Sequence, residues 1–79
     1  MNADRLTKCF VESLGIPASE VTDGLAYNSI KQWDSVGHMT LVAALETEFN
    51  VMLDTDEIIA LSSVGVAKTI LQKHGVTFP

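Results

Sequence analysis

The chain has 79 residues, 47% of them hydrophobic, which predicts one compact domain over residues 1–79 rather than a disordered segment. Its formal charge of −5 argues against nucleic acid as a partner, because phosphates demand a basic surface. No apolar run approaches the roughly 20 residues that cross a bilayer, and a single cysteine, Cys9, excludes an internal disulfide. We therefore expect a cytoplasmic monomer with no membrane insertion.

The first predicted element is a helix over "NADRLTKCFVESLG", in which apolar residues recur at three- and four-residue spacing. Asn2 is the expected N-cap of this helix and Gly15 its stop. Residues 16–34 then form a loop that is long for so small a domain. Scattered apolar residues indicate that this loop packs along the helices, with a short turn near Ser19.

The second predicted helix runs from about Ser35 to Phe49 and is rich in strong helix formers. One apolar stripe predicts its core face and consists of Leu41, Val42, Leu45 and Phe49. A second stripe is rotated from the first and consists of Val36, Met39 and Ala43. Because few residues remain to surround this helix, we expect the second stripe to face a partner protein.

Two more helices are predicted after an extended connection at "NVML". The short third helix lies in "LDTDEIIALS", with Asp54 as its cap and Glu57 three residues on, the pattern of a capping box. The fourth lies in "VGVAKTILQKHG" and begins at Ser62 or Ser63. The predicted fold is all-α: a small antiparallel up-down bundle of three longer helices and one short one, with a long first loop.

Enzymatic chemistry finds little support in this sequence. His38 and His74 have no cysteine or carboxylate at metal-ligand spacing, so no metal site is predicted. Asp34, Ser35 and His38 share one helical turn, which cannot aim an imidazole at the hydroxyl as a catalytic triad requires. Cys9 lies on the apolar face of the first helix and is interpreted as a small buried hydrophobe. The chain is therefore predicted not to be an enzyme.

Ser35 stands where the long loop meets the second helix, so its hydroxyl is expected to face outward. A helix N-terminus favours a negative group through its free N–H donors and its dipole, and a phosphodiester on Ser35 would be well placed. Gly37, which is unfavourable inside a helix, is consistent with a bulky group near the backbone. On these residues alone, the better supported interpretation is that Ser35 is only a helix cap.

The segment "DSVGHMTLVAALETEF" resembles the prosthetic-group segment of acyl carrier proteins, in which Asp-Ser-Leu or a close variant opens the second helix and Leu-Glu-x-x-Phe closes it. The similarity covers nearly the whole chain, including "FNVMLD", the acidic third helix and "SSVGVAKTI". It implies that Ser35, preceded by Asp34, carries a 4′-phosphopantetheine arm, which a phosphopantetheinyl transferase takes from coenzyme A. The thiol of such an arm holds acyl groups as thioesters, and the carrier itself catalyses nothing.

The resemblance also implies where acyl-loading and acyl-processing enzymes dock. The apolar strip for these partners consists of Val36, Met39 and Ala43. The acids that would meet basic patches on the partners are Glu46, Glu48, Asp56 and Glu57. In this family the acyl chain can also lie between the helices, here among residues such as Leu41, Leu45 and Ile59.

Two features depart from typical fatty-acid carriers. Gly37 and Thr40 stand where acids usually follow the serine, and Trp33 is unusual in the preceding loop. We therefore expect a specialised free-standing carrier that serves fatty-acid, polyketide or related lipid biosynthesis. Two alternatives remain open at this point: an aminoacyl or peptidyl carrier of the same fold, including a D-alanyl carrier, and an unmodified helical interaction module.

Overall fold

The computed structural model describes residues 1–78, which form an all-helical bundle. The helices, in chain order, are α1 Asn2–Leu14, α2 Ser35–Phe49, α3 Thr55–Ala60 and α4 Val64–Lys73. A 3₁₀ turn, Ala18–Glu20, lies in the first loop. The predicted bundle of three longer helices and one short helix is confirmed, as is the turn near Ser19. Over the described residues 1–78, none of the helices has both the length and the apolar character that crossing a membrane requires.

The N-terminus of α1 differs from the prediction. Its N-cap is Met1, without a side-chain hydrogen bond, so the assignment of Asn2 as the cap was wrong. The Asn2 amide Nδ2 instead donates to the backbone oxygen of Thr77 at 2.9 Å, and its Oδ1 accepts from Arg5 at 2.9 Å. Arg5 therefore takes the Asn2 oxygen that would otherwise cap the helix, and the Asn2 amide joins α1 to the C-terminal segment.

The other helix boundaries follow local sequence signals. Gly15 ends α1 in a left-handed conformation with φ of 66°, as expected for a glycine stop. Asp54 and Glu57 form the predicted capping box at the start of α3. Of the two serines predicted to cap α4, Ser63 does so, and its side chain accepts from the N–H of Val66 at 3.1 Å.

The three longer helices and the first loop share one hydrophobic core. The core stripe predicted for α2 is buried, with relative exposures between 0% and 9% for Leu41, Val42, Leu45 and Phe49. The loop contributes Trp33, which is 0% exposed and packs edge-on against Phe10 with ring centroids 5.3 Å apart. The loop is thus part of the packed interior, as its apolar residues predicted.

The long loop is also pinned to the junction between α3 and α4. The backbone N–H of Tyr27 donates to the oxygen of Ser62 at 2.8 Å, and the N–H of Val64 donates to the oxygen of Leu25 at 3.0 Å. A salt bridge of 2.8 Å joins Lys68 on α4 to Asp23 in the loop. These contacts hold the middle of the loop against the α3–α4 junction and α4.

Candidate functional site

Asp34 and Ser35 open α2, and the structure separates their roles. Asp34 is the N-cap: its backbone is extended, and its carboxylate accepts a hydrogen bond from the N–H of Gly37 at 2.9 Å. Ser35 is the first helical residue and is exposed. The interpretation of Ser35 as the helix cap is therefore wrong. Because the cap is supplied by its neighbour, the serine hydroxyl is not needed to complete the helix.

Gly37 allows the preceding loop to pass close to the first turn of α2. A Cβ atom at this position would overlap the backbone carbonyl oxygen of Gln32 and would lie 3.1 Å from a methyl group of Leu14. The glycine thus accommodates the protein's own loop, and not an attached group as the sequence suggested. This close approach brings Trp33 and Asp34 directly against the helix that they precede.

His38, one turn into α2, joins the loop to α3. The indole Nε1–H of Trp33 donates to Nδ1 of His38 at 2.9 Å, so Nδ1 is the acceptor and the ring proton resides on Nε2. Nε2–H then donates to the backbone oxygen of Ile58 at 2.8 Å. We call this chain of two hydrogen bonds the Trp33–His38–Ile58 bridge.

The bridge affects whether His38 could act as the base of a serine hydrolase with Ser35. A serine hydrolase needs a ring nitrogen that is free to take the serine proton. Both ring nitrogens of His38 are engaged, one by Trp33 and the other by Ile58. The geometry supports the prediction that Ser35 and His38 do not form a catalytic pair, for a reason that the sequence did not contain. Among residues 1–78, no group of three or more metal-ligating side chains is assembled either.

An open groove lies beside Ser35, between α2 and α3. Its volume is about 310 Å³. The lining residues are Tyr27, Ser35, His38, Met39, Ile58, Ile59, Leu61 and Ser62. Most of these side chains are apolar, and Met39 and Ile59 remain 57% and 76% exposed. The serine thus opens onto a surface that an uncharged extended group can occupy.

The apolar strip proposed for partners is on the surface. Val36 is 74% exposed and Met39 57% exposed, and Ala43 is also exposed. Ile59 extends this apolar surface on the α3 side of the groove. Large apolar side chains exposed together mark interaction sites more often than isolated ones do.

The four acids predicted to meet partners occupy different environments. The Glu46 carboxylate accepts from the N–H of Leu53 at 3.0 Å and so supports the α2–α3 connection. Glu48 forms a salt bridge of 2.7 Å with Arg5. Glu57 belongs to the α3 capping box and also lies 3.0 Å from Nε2 of His74. Asp56 is exposed in the first turn of α3.

Two of these carboxylates have altered acidity. The hydrogen bond from Arg5, with the positive charge of that guanidinium, lowers the pKa of Glu48 below its ordinary value of 4.5. The hydrogen bond that the carboxylate accepts from His74, followed by the one from the Asp54 backbone, lowers the pKa of Glu57. Both groups are therefore held in the charged form at neutral pH, and each is directed toward a group of the same chain.

Cys9 lies in α1, away from the groove, and is 5% exposed. Burial, followed by the nearby charges of Glu48 and Glu12, raises the pKa of its thiol to about 11. A thiol with so high a pKa is almost entirely protonated at neutral pH and is a poor nucleophile. The interpretation of Cys9 as a small buried hydrophobe is confirmed.

The fold and the site together define a class of protein. It is a small helical bundle that presents an exposed serine at the start of a long helix, beside an apolar groove. Residues 4–71 match a family model described as "phosphopantetheine attachment site". Since the match covers most of the chain, the protein belongs to this family, as the sequence resemblance predicted. Members of the family are carriers that bear a covalently attached 4′-phosphopantetheine group.

The residues at the start of α2 fit such a group. Asp34 satisfies the N–H of Gly37, and helix geometry leaves the N–H groups of Ser35 and Val36 without intrahelical acceptors. These donors and the positive end of the helix dipole favour a phosphodiester on the neighbouring hydroxyl. The apolar groove that begins at Ser35 fits the uncharged remainder of an extended arm.

Sequence reasoning missed two features of this site. It treated Trp33 only as a packing residue and assigned no role to His38 beyond the rejected triad. Of the residues expected to surround an acyl chain, Leu41 and Leu45 are 0% exposed in the core and Ile59 is on the surface. No sequence signal identifies the partners of His38, because one of them is a backbone carbonyl 20 residues away.

Proposed function

We propose that this protein is an acyl carrier whose 4′-phosphopantetheine arm is attached to Ser35. One observation carries the proposal: Ser35 is exposed in the first turn of α2 while Asp34 supplies the cap. The hydroxyl is thus accessible to a modifying enzyme and can be esterified without loss of the helix. The groove that starts at the same residue offers the attached group an apolar surface.

The chain itself contributes one reactive atom. In the attachment step, Oγ of Ser35 forms a bond to the phosphorus of the pantetheine phosphate in coenzyme A. The bond from that phosphorus to the nucleotide part of coenzyme A breaks, and the serine proton leaves with the base of the transferase. Once bound, the arm supplies a terminal thiol on which acyl groups are held as thioesters. The tether keeps them at high effective concentration near successive enzymes.

We propose a second role for Asp34, next to the attachment site. Its carboxylate orients the first turn of α2 through the bond to Gly37. It also stands beside the hydroxyl that the transferase must reach, so the same residue shapes the contact with that enzyme. The family resemblance supports this assignment, because an acid precedes the modified serine there as well.

The surface around Ser35 is proposed as the docking face for the transferase and for acyl-processing enzymes. Val36, Met39 and Ala43 supply apolar contact on α2, and Asp56 supplies an exposed acid on α3. Glu46, Glu48 and Glu57 add to a net charge of −5, which attracts partners with basic patches over longer distances. Such attraction raises the association rate more than the affinity, and a carrier must also dissociate readily.

The cargo is proposed to be an acyl group used in fatty-acid, polyketide or related lipid biosynthesis. The net acidity of the chain favours this over an aminoacyl or peptidyl cargo. The two cargo classes differ in how they are loaded. An aminoacyl carrier accepts an amino acid from an aminoacyl adenylate, and we expect no such transfer to the modified protein.

The experiment is intact-mass measurement after incubation with coenzyme A, Mg²⁺ and a broad-specificity phosphopantetheinyl transferase. The wild-type protein is expected to gain the mass of one phosphopantetheine, and Ser35→Ala to gain nothing. Ser62→Ala is the matched control, because Ser62 is exposed and lines the same groove. It is expected to be modified as the wild type is.

Two outcomes would contradict the proposal. A folded wild-type protein that gains no mass would be a helical interaction module, with the apolar strip of α2 as its binding surface. Modification of Ser35→Ala would place the arm on another residue.

A further inference from the structure

The inner side of the groove next to Ser35 is closed by the Trp33–His38–Ile58 bridge. The His38 ring lines the groove and is held at both nitrogens, by the Trp33 indole at 2.9 Å and the Ile58 carbonyl at 2.8 Å. Leu61, which also lines the groove, is only 1% exposed and contributes to its floor. A group attached to Ser35 therefore meets a fixed wall between α2 and α3.

Side chains also fill the space behind that wall. The indole of Trp33 lies beside the His38 ring and nearly coplanar with it, at an interplanar angle of 18° with ring centroids 6.2 Å apart, and is itself 0% exposed. Leu41 and Leu45, on the inner face of α2, are 0% exposed as well. A chain moving inward from the groove would first have to displace the imidazole and then the indole.

Such a displacement is unfavourable for a specific reason. It would remove the acceptor of the Trp33 N–H, which lies in the interior, and the donor to the Ile58 carbonyl. A buried polar group that loses its partner carries its full desolvation cost. An incoming alkyl chain has no polar atom that could replace either hydrogen bond. The bridge is therefore more resistant to an apolar chain than a wall of apolar side chains would be.

We propose that the Trp33–His38–Ile58 bridge keeps the cargo out of the bundle, so that this carrier bears short acyl groups that lie on the surface groove. This inference rests on the proposed carrier function and names the cargo class. The groove volume of about 310 Å³ is at the low end of ligand sites and must also accommodate part of the arm. Its walls at Met39 and Ile59 are mostly exposed, so a long alkyl chain would remain in water.

The test uses the modified wild-type protein loaded with acetyl, butanoyl, octanoyl or dodecanoyl groups, each transferred with the arm from the corresponding acyl-coenzyme A. The Tm values of the four forms are expected to agree within about 2 °C, because no additional apolar surface is buried as the chain lengthens. The NMR resonances of the Trp33 Nε1–H and His38 Nε2–H protons are expected to stay unchanged across the series.

A rise in Tm of about 4 °C or more from the butanoyl to the dodecanoyl form would overturn the inference. In so small a domain, even a small increase in the free energy of unfolding raises Tm by that amount. Loss of either NMR resonance in the dodecanoyl form would overturn it too. The four acylated forms of the wild-type protein therefore test the exclusion of cargo from the interior without any variant.

The role of the bridge itself is tested with His38→Ala. Removing the imidazole opens the inner wall, so Tm of this variant is expected to rise with chain length where the wild type does not. His74→Ala is the matched control, because it removes a histidine that contacts α3 through Glu57 and not at the groove. A folded His38→Ala protein without length dependence would contradict the assignment of the wall to His38.

The two proposals fail in different ways. If mass measurement shows no arm on the wild-type protein, the carrier function and the inference on its cargo are both wrong. If the arm is attached and Tm rises with chain length, the carrier function stands and only the exclusion of cargo from the interior is wrong.

Discussion

The Asp34 carboxylate accepts a hydrogen bond from the backbone N–H of Gly37 at 2.9 Å, so the residue before the serine caps α2. The residue that caps α2 and the proposed attachment residue are therefore adjacent but distinct. The cap belongs to Asp34, and the hydroxyl of Ser35 is available for chemistry. The stability of variants at the two positions should therefore differ in a defined order.

Ser35→Ala is expected to change the free energy of unfolding by no more than about 0.5 kcal/mol, as is typical of exposed positions. Asp34→Ala removes the cap and is expected to cost about 1 kcal/mol. Urea denaturation monitored by circular dichroism measures both. Ser63→Ala is the matched serine control, since Ser63 caps α4, and it too should cost about 1 kcal/mol. If Ser35→Ala proved as costly as Ser63→Ala, the cap assignment would be wrong.

Gly37→Ala is expected to destabilise the protein by about 1–3 kcal/mol, although alanine is normally the better helix former. The reason is that the new Cβ would overlap the Gln32 carbonyl, which belongs to the backbone. Gly65→Ala in α4 is the control, because its Cβ would lie at an ordinary 3.4 Å from the nearest atom, the Asp23 oxygen. Urea denaturation should show no loss of stability in that variant. A stabilised Gly37→Ala protein would refute the close approach of the loop.

Cys9 is expected to react slowly with a disulfide reagent at pH 8 in the native unmodified protein, because its thiol is buried and its pKa is raised to about 11. In urea the same thiol should react at the rate of a free cysteine. After attachment of the arm, the native protein should show one fast-reacting thiol. Absorbance measures the rate of the reaction. Rapid labelling of the native unmodified protein would contradict the burial of Cys9.

Protonation of Glu48 in acid is expected to make the protein less stable. Its pKa in the folded state is lowered below the ordinary 4.5 by the hydrogen bond from Arg5. The group therefore contributes its stabilisation above about pH 4.5, and this contribution is lost as the pH falls through the folded-state pKa. Both side chains are partly exposed, at 44% for Arg5 and 34% for Glu48, so the effect is small.

Glu48→Gln should therefore flatten the pH dependence of Tm below about pH 4.5. The control is Glu20→Gln, at an exposed carboxylate in the 3₁₀ turn, which should keep the wild-type pH dependence. Differential scanning calorimetry between pH 3 and pH 7 measures both variants. Equal curves for Glu48→Gln and the wild type would show that the Arg5 contact does not stabilise the folded state.

Met39→Ala is expected to lower kcat/KM of the phosphopantetheinyl transferase about fivefold, the loss that corresponds to roughly 1 kcal/mol of interface energy. The position is on the apolar strip and is 57% exposed, so the folded protein should be unaffected. Met52→Ala is the matched control, because Met52 is 83% exposed but lies in the α2–α3 connection. Equal losses in the two variants would argue against the strip as the docking face.

The helices and most of their caps could be predicted because their signals are local. The capping box of Asp54 and Glu57 spans four residues, and the glycine stop at Gly15 needs only its own conformation. The contacts of Asn2 could not be predicted from local signals. Its residue type favours an N-cap, but its Oδ1 accepts from Arg5 and its amide donates to the Thr77 carbonyl, 75 residues away in the chain.

The residues of the candidate site also differ in whether the sequence could predict their roles. Ser35 and Asp34 were identified from a short motif and its place at the start of a helix. The reason for Gly37 was predicted wrongly, because the atom that requires a glycine belongs to the loop at Gln32 and its position depends on how that loop packs. The two partners of His38 were not predictable, since neither periodicity nor residue type indicates a carbonyl on α3.

By itself, the sequence determined the four helices, the acidic character of the chain and the serine that opens α2. These follow from residue spacing, capping chemistry and charge, which act within a few residues or are simple sums over the chain. Only the tertiary structure decided which residue caps α2, why Gly37 is a glycine and how His38 joins Trp33 to Ile58. Each of these depends on contacts between segments that are brought together when the apolar side chains of the loop and helices are buried, so none is encoded in any one segment.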